Sequence, residues 1–202
     1  MRYQLRTRSK TRAKKGSAQM AEFAPAMMIF LLIILFPLVN LLSFATGYAS
    51  LAYLGQQCAV QAANSPSYQL ALTEMQNMAA QVTNSGVGKF AKLTPVGGYK
   101  GCGADLYITA TVIASSTATE YGPNTGLPTT PDPTNNIYEY TVKTSFNVGP
   151  FLDLHTFPFV GSIPLVGQPV LLRTVANRAI EHDNSLSFLP RYFSWTLQNL
   201  VD

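Results

Sequence analysis

Hydrophobic positions divide this chain into one nearly unbroken apolar run and several periodic ones. From Phe23 to Val39 no strongly polar residue occurs, and beyond Asn40 the run resumes as LLSFA to Ala45. Those 23 residues would measure about 34 Å as a helix, enough to cross a hydrocarbon core of about 30 Å. Phe23, Pro25, Ile29, Leu32, Ile34, Pro37 and Leu41 mark the expected transmembrane segment within 17–45. Pro25 falls in the first turns, where a missing N–H costs little; Pro37 lies deeper and predicts a kink that lipid surroundings tolerate.

Past the run, Leu41, Phe44, Ala45, Tyr48, Leu51, Ala52, Gly55, Cys58, Ala59 and Ala62 recur at spacings of three and four. This is one stripe of a continuing helix, predicted from about Met20 to Ala63, with 46–63 as a stem. The stripe is rich in small residues, which permit close helix approach. NSPS, 64–67, breaks it, and Ser65 as N-cap with Pro66 behind it predicts a second helix ending at Asn84, Ser85 and Gly86. Residues 86–104 read as a glycine-rich loop. It lacks the Gly-Lys-Ser/Thr ending and the preceding strand of a phosphate loop.

Period-two alternation then predicts three strands: 105–115, 137–148 and Val170–Ile180. The first puts Leu106, Ile108, Ala110 and Val112 on one face; the second, Tyr138, Tyr140, Val142, Thr144 and Phe146. Between them, 116–136 is polar, rich in Pro, Thr and Gly, and too long for a tight hairpin, so an exposed excursion is expected. Residues 149–167 form an apolar loop punctuated by Pro and Gly that should lie against the domain. The tail beyond is aromatic and could form a short helix after Pro190. The expected fold is α+β: a long N-terminal transmembrane and stem helix, a second helix, and an antiparallel sheet of about three strands. The expected divisions are a basic leader 1–16, the membrane segment 17–45, the stem 46–63 and an exported domain 64–202.

Charge gives the helix a direction. Seven of the fourteen Lys and Arg precede Gly16 with no acid among them, and all ten acids follow. The leader therefore carries +7 and the remainder a net −3, which together give the formal +4. Positive charge on the N-terminal side places that terminus in the cytoplasm and the domain outside an inner membrane, periplasmic or extracellular. The mildly acidic bulk does not suit a nucleic-acid partner. A secretory signal peptide, cleaved after GYA before Ser50, is the rival, but the apolar core is longer than the usual 7 to 15 residues or so. Outside the cytoplasm a Cys58–Cys102 disulfide is allowed; two unpaired buried thiols are the alternative.

Catalytic chemistry has little to stand on. No Gly-x-Ser-x-Gly elbow occurs. Asp153 with His155, and Glu181 with His182 and Asp183, have no known metal-ligand spacing, and solvated polar clusters account for both groups. No metal, no cofactor and no enzymatic activity is expected.

The N-terminal residues carry one specific pattern. A basic leader, Gly16, a short spacer, Glu22-Phe23 and a long apolar helix resemble the class III signal of type IV pilin-like proteins. GSAQMAEFAPAMMIFLLIILF is similar to the start of the TadE-like family, the small pseudopilins of tight-adherence pilus systems. The resemblance is specific from Gly16 to Phe44 and is a match of element order beyond. It implies cleavage by a prepilin peptidase after Gly16, with Ser17 as the new terminus, and Glu22 as the acid that positions the subunit. The family usually has its Glu fifth after the Gly; Glu22 is sixth, which leaves cleavage after Ser17 open. The implied partners are the membrane, other pilin-like subunits, the pilus assembly machinery and the peptidase. Two other classes stay open: a signal-anchored exported enzyme or ligand-binding domain, and a major structural pilin.

Overall fold

The computed structural model describes residues 23–156, 162–164 and 166–180. One helix, α1 (Phe23–Ala63), runs from the apolar segment into the domain. Its 41 residues span about 60 Å at roughly 1.5 Å per residue. The kink expected at Pro37 takes the form of a change of helical register. Leu31–Leu35 is π-helical, and the Phe36 N–H donates to the Leu31 carbonyl oxygen, five residues back. Pro37 has no N–H and its ring crowds the preceding turn, so one wider turn absorbs the misfit before α-helical geometry resumes at Phe36.

The second helix, α2 (Tyr68–Asn84), starts two residues later than the Ser65 cap predicted. Ser65 is buried and its hydroxyl donates to the Gln61 carbonyl oxygen at 2.7 Å, finishing α1 instead. Ser67, in extended conformation, caps α2 by accepting from the Leu70 N–H at 3.3 Å. The expected loop 86–104 contains a short helix, α3 (Gly86–Phe90), capped by Ser85. It also contains a two-residue strand, β1 (Thr94–Pro95).

The sheet has five strands rather than about three: β1, β2 (Ala104–Val112), β3 (Ala118–Tyr121), β4 (Asn136–Val148) and β5 (Val170–Ala179). β4 is central. It pairs antiparallel with β5 along one edge and with β2, then β1, along the other, and β3 closes the far side of β2. The two extra strands are four residues or fewer, too short to show alternation. β3 lies within the segment 116–136, so that excursion doubles back onto the sheet through Ile108↔Tyr121 and Thr111↔Ala118. Asn124 then ties it down, its Oδ1 accepting from the Leu106 N–H at 3.0 Å.

One sheet face covers α1 and α2. Leu106, Ile108, Tyr140, Val142 and Phe146 from the sheet meet Leu51, Leu54, Cys58, Ala59 and Ala62 of α1 and Ala71 and Met75 of α2, all essentially inaccessible. Residues 46–63 are thus a wall of the core. The other face is mostly polar, with Ile137, Leu171 and Val175 exposed on it: Thr109 and Thr141 pair hydroxyls at 3.0 Å, and Lys143 bridges to Glu120 and lies over the Tyr107 ring.

Candidate membrane and assembly interface

Two patterns of exposure succeed one another along α1. Above Gly47 the helix is ordinary: apolar residues turn inward to the core, and the outward positions become Gln56 and Gln61. Below Gly47 the order inverts. Asn40, Ser43 and Gly47 face the domain and are buried, while Phe23, Met28, Ile33, Ile34, Leu38, Leu41 and Leu42 are more than half exposed. In water such a surface would be unfavourable, since it leaves apolar area uncovered. In a bilayer it is the expected arrangement, with large apolar side chains toward lipid and small or polar ones toward protein. One helix near the N-terminus is therefore long and apolar enough to span a membrane, and its outward surface suits lipid.

Of the membrane residues expected from sequence, Phe23, Ile29, Leu32, Ile34 and Leu41 are exposed on this helix. Pro37 is half-buried beneath the domain. Tyr48 and Tyr53 occupy the outward face where apolar positions give way to glutamines, the level at which amphipathic rings favour a membrane boundary. Gly16, Ser17 and Glu22 lie outside the described residues, as do Glu181, His182, Asp183 and the aromatic tail.

The domain grips the lower helix through polar side chains. The Leu152 N–H donates to Asn40 Oδ1 at 2.8 Å. Asn40 Nδ2 donates to the Leu152 carbonyl oxygen at 3.0 Å and, more weakly, to that of Val166 at 3.4 Å. One amide side chain thereby satisfies both backbone groups of a residue in the 149–167 loop. Ser43 reaches the carbonyl oxygens of Phe90 and Gly149 at 3.4 and 3.5 Å. Periodicity had placed Leu41, Ala45 and Tyr48 on the packed stripe; the structure turns them outward. Asn40, the residue missed, was legible as the lone amide interrupting an apolar run.

Of the small residues on the stripe, Gly55, Cys58, Ala59 and Ala62 are buried against this chain's own domain, while Ala45 and Ala52 are exposed; Gly47, off the stripe, is also covered by the sheet. A Cβ on Gly47 would stand 2.8 Å from Val148 Cγ1, and one on Gly55 would stand 3.3 Å from Thr174 Oγ1. Thr174 also donates to the Leu51 carbonyl oxygen at 3.3 Å, so β5 lies directly on the helix backbone. The outward side left uncovered carries large apolar residues up to Leu42 and the small residues Ala45, Ala49 and Ala52 above it.

The cysteines are free thiols. Cys58 is buried and its Sγ contacts the Met75 carbonyl oxygen at 3.7 Å; Cys102 is half-buried and contacts that of Ala104 at 3.5 Å. No disulfide joins them in this structure, although they lie within electrostatic reach of one another. Burial pushes the Cys102 thiol above its ordinary value. Asp153 and His155 serve each other on an exposed turn, Nδ1 to Oδ1 at 2.8 Å. Hydrogen bonds from the His155 backbone and ring hold the Asp153 carboxyl below its usual range. Among the described residues no group of three or more His, Cys, Asp or Glu side chains could hold a metal ion.

A groove of about 490 Å³ runs between α1 and α2, lined by Ala49, Ser50, Tyr53, Met78, Gln81, Val82, Ser85 and Val87. It carries no carboxylate, histidine, cysteine or basic side chain, and so offers neither a general base nor a charged ligand clamp. No protein-family model matches the chain, no curated protein matches it, and no solved structure matches it.

Proposed function

We propose that the chain is a single-pass, non-enzymatic, TadE-like minor pseudopilin that takes part in assembling a tight-adherence pilus or related secretion machinery. The observation that carries this reading is the inversion of α1: one uninterrupted helix is lipid-compatible on its lower half and a core wall on its upper half. An anchor built so couples the membrane segment rigidly to the exported domain, as a subunit displaced through its helix requires. The mechanism is association. The apolar outer face of residues 23–42 packs with other pilin-like helices, and the mostly polar sheet face meets partners outside. The Glu22 carboxylate pairs with the α-amine that prepilin peptidase frees on a neighbouring subunit, each charge offsetting the other's desolvation. The cytoplasmic leader and the exported domain follow from the positive charge before Gly16.

N-terminal sequencing with intact mass, on membrane-extracted protein made with and without a prepilin peptidase, tests the reading. A peptidase-dependent terminus at Ser17 or Ala18 is expected. A terminus near Ser50 would mean release by signal peptidase and would sink it; Met1 retained under both conditions would remove the amine that Glu22 is said to pair with.

A further inference from the structure

Asn40 fixes the height of the loop that follows β4. It lies 17 residues beyond Phe23, about 25 Å along the helix at roughly 1.5 Å per residue. Both backbone groups of Leu152 bond to it, so Phe151 and Leu152 occupy that height. Ile163 is held nearby: the Val166 and Gly167 N–H groups donate to its carbonyl oxygen, and the Val166 carbonyl oxygen accepts from Asn40. The outward face of α1 remains apolar above this level, through Leu41 and Leu42, and its first amide is Gln56. A bilayer that covers Leu41 and Leu42 therefore also reaches the loop.

The loop is built for that position. Phe151 and Ile163 are 42% and 45% exposed among the described residues. The Phe151 ring is backed by Phe90 at a centroid distance of 4.9 Å, which holds it outward on a firm support. Lys92 packs its stem near Gly149 and its charge acts on Asp153, so a lysine and a carboxylate belong to the same loop region as Phe151. Exposed apolar side chains with charged groups at their margin match the boundary between acyl chains and phosphate headgroups.

We propose that residues 149–156, with Ile163, form a second membrane contact, bedded in the outer headgroup–acyl boundary of a phospholipid bilayer. The domain would then sit on the membrane at a fixed tilt rather than swing from a single helix. This rests on α1 being transmembrane, and the test separates the two.

The full chain, with its one tryptophan (Trp195) replaced by Phe, would receive a single new tryptophan by Phe151→Trp, Ile163→Trp, Leu32→Trp or Ser115→Trp. Each variant goes into phosphatidylcholine–phosphatidylglycerol vesicles with bromine near the headgroup end or the middle of the acyl chains. Phe151→Trp and Ile163→Trp should lose emission chiefly to the shallow bromines, Leu32→Trp chiefly to the deep ones, and Ser115→Trp, on an exposed turn, to neither. If Leu32→Trp is quenched while Phe151→Trp and Ile163→Trp emit like Ser115→Trp, the loop faces water or a protein partner; the proposal fails and the transmembrane reading stands. If Leu32→Trp is not quenched either, both fail.

Discussion

Replacing Asn40 by leucine tests whether the domain is clamped to the helix by one side chain. The side chain is 1% exposed and exchanges two good hydrogen bonds with Leu152, at 2.8 and 3.0 Å. Leucine keeps the branched shape and the number of side-chain heavy atoms, although its methyl groups are bulkier than the amide, and it raises the helical and apolar character of α1, so the helix itself is not weakened. The loss falls on Leu152. Each bond is worth about 1 kcal/mol net, and a buried N–H left without an acceptor costs about 1 to 3 kcal/mol. Local opening should become easier by about 2 to 3 kcal/mol, which accelerates amide exchange at Leu152 roughly 30- to 150-fold. Hydrogen exchange on detergent-solubilised or bilayer-embedded protein, read by mass spectrometry, measures this directly. Amides of β2 and β4, which do not depend on the loop, serve as the internal reference and should keep their rates. Asn40→Asp should fall between, since it keeps the acceptor for the Leu152 N–H and loses the donor. Unchanged exchange at Leu152 in Asn40→Leu would refute the clamp; equal acceleration in β2 and β4 would show that Asn40 supports the whole domain.

Close packing at Gly47 makes Gly47→Leu destabilising by about 1 to 3 kcal/mol in chemical denaturation, because the first added atom already meets Val148 at 2.8 Å. Gly86→Ala, where a Cβ meets nothing within 4 Å, should instead stabilise by roughly 0.5 kcal/mol; the opposite order would overturn the packing argument. In reduced protein, a small thiol reagent should modify Cys102 before Cys58, since Cys58 is fully inaccessible; mass spectrometry of the labelled peptides reads the order, and simultaneous labelling would contradict the burial. Alkaline pH should weaken the fold. The Cys102 thiol and, through burial and the nearby Tyr140 and Tyr99, the Tyr68 phenol are both raised above their ordinary values of 9.0 and 10.0. Their neutral forms are favoured when folded, so stability is level below pH 9.0 and falls above it; a melting temperature that rises from pH 9 to 11 would contradict this. Glu22→Ala should leave the protein membrane-bound and impair pilus assembly; normal pili in that variant would remove the pairing role.

Much of this architecture was readable before any coordinates because alternation and apolar length are strong signals. The apolar run, the faces of β2 and β4 and the extent of β5 agree with the reading within a few residues. β1, β3 and α3 were not legible, and for physical reasons. β1 contains a proline and two residues, β3 only four; neither has length enough for a period. α3 is GVGKF, poor in helix propensity, and is held by the Ser85 cap and by Gly88, where a Cβ would stand 2.3 Å from the Val82 carbonyl oxygen. Tertiary fit, not local preference, makes these elements.

The lower stem is the more instructive case, because the rule that failed there is the one that defines the protein. Helical periodicity assigns the apolar stripe to the interior, and that assumption holds where water is the alternative. It holds for Leu51, Cys58, Ala59 and Ala62, which are buried. It fails for Leu41 and Tyr48, which are outward, while Asn40 and Ser43 are inward. The same spacing of three and four continues through both halves; only the side of the helix that carries the large apolar residues changes. That change has no rationale in a single solvent. A helix whose polar and small residues bind protein below Gly47, and whose apolar residues bind protein above it, suits two surroundings in succession. A lipid-facing lower half accounts for Leu38, Leu41 and Leu42 being exposed together while an asparagine beside them is buried.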